Sequence, residues 1–141
     1  MNTLEIKKQL KNYKRFVGVF PCDYIPDLNR GEGVIVNTDT HNKGGEHWVA
    51  IYMSPTGSME YFDPFGLPPL VPHIREYING SNHIFFSYST IQLQDPSSTS
   101  CGGHCIAFIK HRLSDLPFEA LLAHFTTSLL DNDKKVEEAT K

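Results

Sequence analysis

Residues 47–66 read HWVAIYMSPTGSMEYFDPFG, and this stretch decides the fold. Two runs rich in apolar, aromatic and β-branched side chains, His47 to Met53 and Met59 to Asp63, flank the turn segment Ser54-Pro55-Thr56-Gly57-Ser58. That is the pattern of a β-hairpin. In an antiparallel pair the start of one strand lies beside the end of the other, so the hairpin carries His47 and Asp63 to the same end of a sheet. A carboxylate there holds an imidazole by its Nδ1–H and stabilises the charged ring. The plainer role for Asp63 is to start the turn Pro64-Phe65-Gly66. Trp48, beside His47, is placed to shield the ring from water and to offer it an aromatic face.

Outward from the hairpin, Gly33 to Asn37 reads as a short strand and Asp39 to Glu46, with Gly44-Gly45, as a turn. Residues 18–32, carrying Pro21, Pro26 and Gly31, read as a loop. The chain opens with a helix, Asn2 capping it with Glu5 three residues on and Leu4, Ile6, Leu10 and Tyr13 giving an apolar stripe. Its Lys7, Lys8, Lys11, Lys14 and Arg15 read as a solvated face. A helix is expected over Leu70 to Ile78, extended segments over His83 to Tyr88 and Thr90 to Leu93, and a polar loop over Asp95 to Ser100. A buried helix then runs from Cys101 to Arg112, and a last helix from Pro117 to Leu130 with proline in its first turn. The charged end, Asp131 to Lys141, is expected to fray as a flexible tail. Central strands with helices on either side predict one α+β domain over residues 1–141, a mixed, mainly antiparallel sheet flanked by helices.

Cys101 follows Ser97-Ser98-Thr99-Ser100 and precedes Gly102-Gly103. A cysteine at a helix N-terminus faces the positive end of the dipole and free N–H groups, both of which favour the thiolate. The two glycines leave the backbone bare, so a substrate carbonyl can approach the N–H groups. Gln94 lies a short loop upstream, and its side-chain N–H₂ is a candidate donor to a tetrahedral oxyanion. Histidine, carboxylate, amide and cysteine are the four parts of a thiol hydrolase. Taken singly, each has a bland structural reading; Cys22 and Cys105 are read as structural.

Composition narrows the alternatives. The net charge of -3 gives no general attraction to nucleic acid or anionic membrane. Three cysteines are too few, and odd in number, for a disulfide scaffold, which favours a reducing compartment. Met1 to Arg15 has no continuous apolar run, so no secretory signal is expected. No stretch approaches the roughly 18 apolar residues a membrane helix needs. Asn79-Gly80-Ser81 matches a glycosylation acceptor and reads as a turn that matches by chance.

The joint order of motifs is specific. Ile35-Val36-Asn37-Thr38, Gly44-Gly45-x-His47-Trp48, Tyr61-Phe62-Asp63-Pro64-Phe65-Gly66 and Gln94-x-Pro96-x-Ser98-x-x-Cys101-Gly102 resemble the adenovirus-type processing proteases, the adenain family of cysteine endopeptidases, over about residues 15–112. Proteases that remove ubiquitin-like proteins share the pattern more loosely. The resemblance implies an adenain-like, papain-related fold. It implies Cys101 as nucleophile, His47 as base and then acid, Asp63 as orienter and Gln94 as oxyanion donor, with Gly45, Trp48 and Gly102 against the substrate. It implies cleavage after small residues, often glycine, in virion precursor proteins, inside the host cell or the virion. The adenovirus enzymes have glutamate where this chain has Asp63; the ubiquitin-like-protein proteases use aspartate. The adenovirus enzymes take an activating peptide through a disulfide to a cysteine that aligns with His83 here, so that route is not expected. Their DNA cofactor is not expected either, given the charge; no cofactor, no membrane and a monomer are the remaining expectations. Two other readings compete: a peptidase for ubiquitin-like tails, and a non-catalytic module, in one form holding zinc by Cys22, Cys101, His104 and Cys105.

Overall fold

A computed structural model describes residues 1–42 and 47–141. The hairpin forms as read: β3 (Trp48–Met53) and β4 (Ser58–Phe62) pair antiparallel, with Ala50 opposite Phe62 and Met53 opposite Met59. On the other side of β3, β2 (Gly33–Asn37) pairs antiparallel, Ile35 opposite Ala50. The outer strands are parallel additions, β1 (Phe16–Pro21) to β2 and β5 (Phe85–Tyr88) to β4. Among the described residues the sheet runs β1-β2-β3-β4-β5, mixed, with its antiparallel pairings at the centre.

The central strands are buried on both faces, which is why they read as near-continuous apolar runs. Ile35, Ala50, Tyr52 and Phe62 point to one side, where α1 (Thr3–Leu10) supplies Ile6 and Leu10 and α3 (Cys101–Leu113) supplies Cys105, Ile106, Phe108 and Ile109. Val34, Val36, Val49, Ile51, Met59 and Tyr61 point to the other, against Ile74 and Ile78 of α2 (Pro72–Gly80). The alternation is the period of two expected of a pleated strand. Asn2 caps α1 by accepting the Glu5 N–H at 2.9 Å, as expected. Leu4, however, is exposed, so the apolar stripe is narrower than the sequence suggested. Arg112, near the end of α3, forks onto both oxygens of Glu60 on β4 at 2.9 and 2.8 Å and lies over the Tyr52 ring. This pins the far end of the helix to the sheet.

Three expectations fail for physical reasons. The loop over residues 18–32 begins inside β1, because an edge strand tolerates what a central one does not: Gly18 (φ +147°) sits at the register shift and Pro21 closes the strand. The helix expected from Pro117 to Leu130 breaks into α4 (Phe118–Leu122) and a turn. Asn132 wraps that turn, accepting the Thr126 N–H at 2.9 Å and donating to the Thr126 carbonyl at 2.8 Å. The expected frayed tail is α5 (Leu129–Ala139), whose Asn132, Asp133 and Val136 are buried. The Gly44-Gly45 turn lies outside the described residues.

Phe62 is fully buried and its ring stacks on Phe108 and meets Phe118 edge-on. Phe62→Ala is expected to lower unfolding free energy by about 3–5 kcal/mol in a denaturant titration, while Leu4→Ala on the exposed face changes it by under about 0.5 kcal/mol.

Candidate active site

Cys101 is the first residue of α3, where backbone N–H groups have no carbonyl behind them in the helix. α3 packs against β3, with its first turn at the start of that strand: Cys105 Sγ donates to the Trp48 carbonyl, and the Trp48 N–H meets the Cys101 sulfur. The buried sulfur takes hydrogen bonds from the His47 ring and from the N–H groups of Trp48 and Gly102. Burial pushes the thiol up; the His47 hydrogen bond, the Trp48 N–H, the His47 charge and the Gly102 N–H together outweigh it and leave it below its ordinary value.

His47 bonds Asp63 Oδ1 through Nε2 at 2.9 Å. The sequence reading had the carboxylate on Nδ1; the nitrogens are reversed, and with Nε2 committed, Nδ1 is the ring nitrogen left for the sulfur. Burial pulls the imidazole down, but the hydrogen bonds of Asp63 and Cys101 and the charges of both raise it from 6.5 to about 9. At neutral pH the ring is therefore imidazolium, and the thiol beside it ionises more readily than a free one.

Asp63 does both jobs considered for it. The same Oδ1 accepts the Phe65 N–H at 2.8 Å, and the Asp63 carbonyl accepts the Gly66 N–H at 2.8 Å, closing the turn. The turn in turn presents the Phe65 ring, which stacks on His47 at 4.8 Å and 11°. Phe65 is thus the aromatic face predicted for Trp48; only its place two residues after the carboxylate pointed to it. Gly66 has φ +72°, and a Cβ there would fall 2.8–2.9 Å from the backbone of residues 90–92. That close approach lets the Pro64 carbonyl accept the N–H groups of Leu93 and Gln94 at 2.9 and 3.1 Å. The turn that orients His47 therefore also locates Gln94.

Trp48 turns its indole away from His47: Nε1 donates to the Met1 carbonyl at 3.1 Å. A Cβ on Gly102 would lie 3.2 Å from the Met1 Cβ and 3.4 Å from Trp48 Cδ1, so Met1 and Trp48 pack closely on Gly102. Gly103 serves a different purpose from the one expected, letting Val136 of α5 close to 3.1 Å of where a Cβ would be. Gln94 is buried, and its Nε2 donates to the carbonyl and hydroxyl of Ser98 at 3.0 and 3.2 Å, while Oε1 has no hydrogen-bond partner among the described residues. The amide thus faces Ser98 rather than the sulfur. Gly45, the remaining expected substrate contact, lies outside the described residues.

The zinc alternative is not assembled. Cys22 packs in the apolar cluster across the sheet from Cys105, whose S–H donates to the Trp48 carbonyl at 3.3 Å, and His104 bonds Asp133 at 2.9 Å. Among the described residues no three His, Cys, Asp or Glu side chains converge to hold a metal.

This geometry has counterparts. The adenovirus endoprotease family profile matches residues 16–71. A protein named SUMO-1 cysteine protease of African swine fever virus is 28% identical over 111 residues, covering 72% of this chain and 39% of that protein. The protease of bovine adenovirus 2 is 30% identical over 129 residues, covering 82% of this chain and 62% of that one. In three dimensions the crystal structure of an African swine fever virus protease superposes with a TM-score of 0.58 at 20% identity, covering 96% of this chain and 66% of the other. The central domain of an uncharacterized Legionella pneumophila protein superposes with a TM-score of 0.56 at 17% identity, covering 99% and 95%. The fold is thus adenain-like, and the chain is similar to the adenovirus-type processing proteases. It spans about two fifths of the length of the first curated relatives it matches, 39%.

The ion pair sets a pH dependence. Thiolate reacts with iodoacetamide and thiol does not, so the alkylation midpoint of Cys101 should lie below pH 9.0, the ordinary thiol value. Its profile belongs to the coupled pair rather than to either group. In His47→Gln the burial remains while the imidazolium is gone, so the midpoint should rise and the rate at pH 6.5 fall by about tenfold or more, one pKa unit being tenfold in thiolate. Mass spectrometry of the labelled peptide, read against pH, checks both.

Proposed function

We propose that the chain is a cysteine endopeptidase that cleaves viral or virus-like precursor proteins after small residues such as glycine. The observation that carries the reading is the sulfur of Cys101 hydrogen-bonded to an imidazole whose other nitrogen is held by Asp63. The thiolate attacks the scissile carbonyl carbon, and the carbonyl oxygen takes the negative charge. N–H groups at the start of α3 receive that charge. Gln94 joins them if its amide turns from Ser98, which leaves the loop hydroxyl free. The imidazolium of His47 then gives its proton to the leaving amine, and a thioester remains on Cys101. The neutral ring takes a proton from water as the water attacks, and thiolate and imidazolium are restored with the release of the acid.

Met1 and Trp48 pack closely on Gly102 beside the nucleophile, and this crowding favours small side chains next to the cleaved bond. Activation through a disulfide at His83 has no support, since His83 is not a thiol and its Nδ1 meets the Ser81 hydroxyl at 2.6 Å. Action inside the host cell and the virion goes with the precursor substrate. A second reading, a peptidase for ubiquitin-like tails, is favoured by the name of the African swine fever virus relatives. The two share chemistry and differ in substrate.

An electrophilic peptide ending in Gly-Gly should add its mass once, to Cys101, and Cys101→Ala should abolish both adduct and cleavage while leaving the melting curve intact. Cleavage retained by that variant would remove the assignment. Precursor-type peptides tested beside ubiquitin-like conjugates decide between the two substrates.

A further inference from the structure

We propose that α5 is a splint for the nucleophile and that Asp133 is a positioning residue for Cys101, an inference that rests on the reading of Cys101 as the nucleophile. Four side chains of α5 at positions i, i+1, i+4 and i+5 share one face and grip the chain on both sides of Gln94 and on both sides of Cys101. Asn132 donates to the Leu93 carbonyl at 3.2 Å. Asp133 accepts the Asp95 N–H at 3.1 Å on Oδ2 and bonds His104 Nε2 at 2.9 Å on Oδ1. Val136 packs on Gly103, and Glu137 accepts the Ser100 hydroxyl at 2.6 Å. The residues gripped are therefore 93 and 95 about Gln94, and 100, 103 and 104 about Cys101.

Asp133 is the centre of this arrangement. It is 4% exposed, and a buried carboxylate adds little stability over a well-packed apolar residue. Adhesion alone would be served by leucine. What the carboxylate adds is direction: one oxygen fixes the loop that leads into Cys101, the other fixes the helix that starts with it. Burial pulls the His104 imidazole down, and the Asp133 hydrogen bond and charge only partly offset this, so the ring is neutral and Nε2–H donates. Its Nδ1 is buried with no hydrogen-bond partner among the described residues, and the ring lies 5.6 Å from that of Phe125, so the Asp133 bond is the polar contact that directs it. This His–Asp pair lies one helical turn from the nucleophile yet touches neither sulfur nor substrate space.

The test compares the wild type with Asp133→Ala, Asp133→Asn, Glu137→Gln and, as control, the exposed Glu138→Gln. Each is assayed well below its melting temperature for kcat and KM on a Gly-Gly peptide and for the pH profile of Cys101 alkylation by iodoacetamide. With Asp133→Ala, kcat should fall about 10- to 100-fold with KM within about twofold, the size expected when a nucleophile shifts by about an ångström. Its alkylation midpoint should move up toward that of an ordinary thiol. Asp133→Asn keeps one acceptor and should lie between; Glu137→Gln, on the exposed rim, should fold and lose about threefold or more in kcat; Glu138→Gln should match the wild type. Folded variants with lowered melting temperature but wild-type kcat and alkylation profile overturn the proposal. If Asp133→Ala does not fold, an unchanged Glu137→Gln overturns it alone. Failure of the underlying reading shows elsewhere, as a wild-type protein whose Cys101 titrates as an ordinary thiol and which cleaves nothing.

Discussion

A charge on the buried Cys101 sulfur is favoured on several sides: by an imidazolium, two backbone N–H groups and the tip of a helix. Burial by itself works against both members of the pair, since it disfavours thiolate and imidazolium alike. The partners must therefore be held within hydrogen-bond distance, and most of the architecture is explained by that requirement. His47 and Cys101 come from a strand and a helix far apart in sequence. The sheet face formed by Ala50, Tyr52 and Phe62 fixes the height of α3 above the strands, and the Glu60–Arg112 fork fixes its far end.

Control of His47 is concentrated in four residues. Asp63 ties Nε2 and its own turn with one oxygen, Pro64 lends its carbonyl to residues 93 and 94, Phe65 covers the imidazole face, and Gly66 allows the incoming backbone to pass. From the end of the hairpin the Asp63 carboxylate reaches the ring directly, at 2.9 Å. On the nucleophile side the equivalent support comes from α5, at the far end of the chain. The two supports meet at Gln94, held at its backbone by Pro64 and flanked by residues bonded to Asn132 and Asp133.

Much of this was legible because local pattern and final environment agree. The hairpin was readable from alternation and turn residues, and the pairing of His47 with Asp63 follows from antiparallel geometry alone. Asn2 and Glu5 announce the first helix, and the apolar run after Cys101 announces α3. What escaped depends on contacts distant in sequence. β1 hides behind Gly18 and Pro21 because only its edge position excuses them. α5 looks like a charged tail because its polar inward face, Asn132 and Asp133, is satisfied by residues 93, 95 and 104 rather than by an apolar core. Nothing local reveals that Phe65 rather than Trp48 meets the imidazole, that the ring presents Nε2 to Asp63, or that the Gln94 amide turns to Ser98.

The central claim is an imidazolium at residue 47 sustained by Asp63 and by the sulfur of residue 101. The most direct measurement is the nitrogen NMR titration of the His47 ring in the wild type and in Cys101→Ala. The account predicts a ring protonated on both nitrogens at pH 7.5 that titrates near 9, with a midpoint that falls when the sulfur is removed. A neutral ring at pH 7.5 titrating near 6.5, with no change on loss of the sulfur, would contradict it.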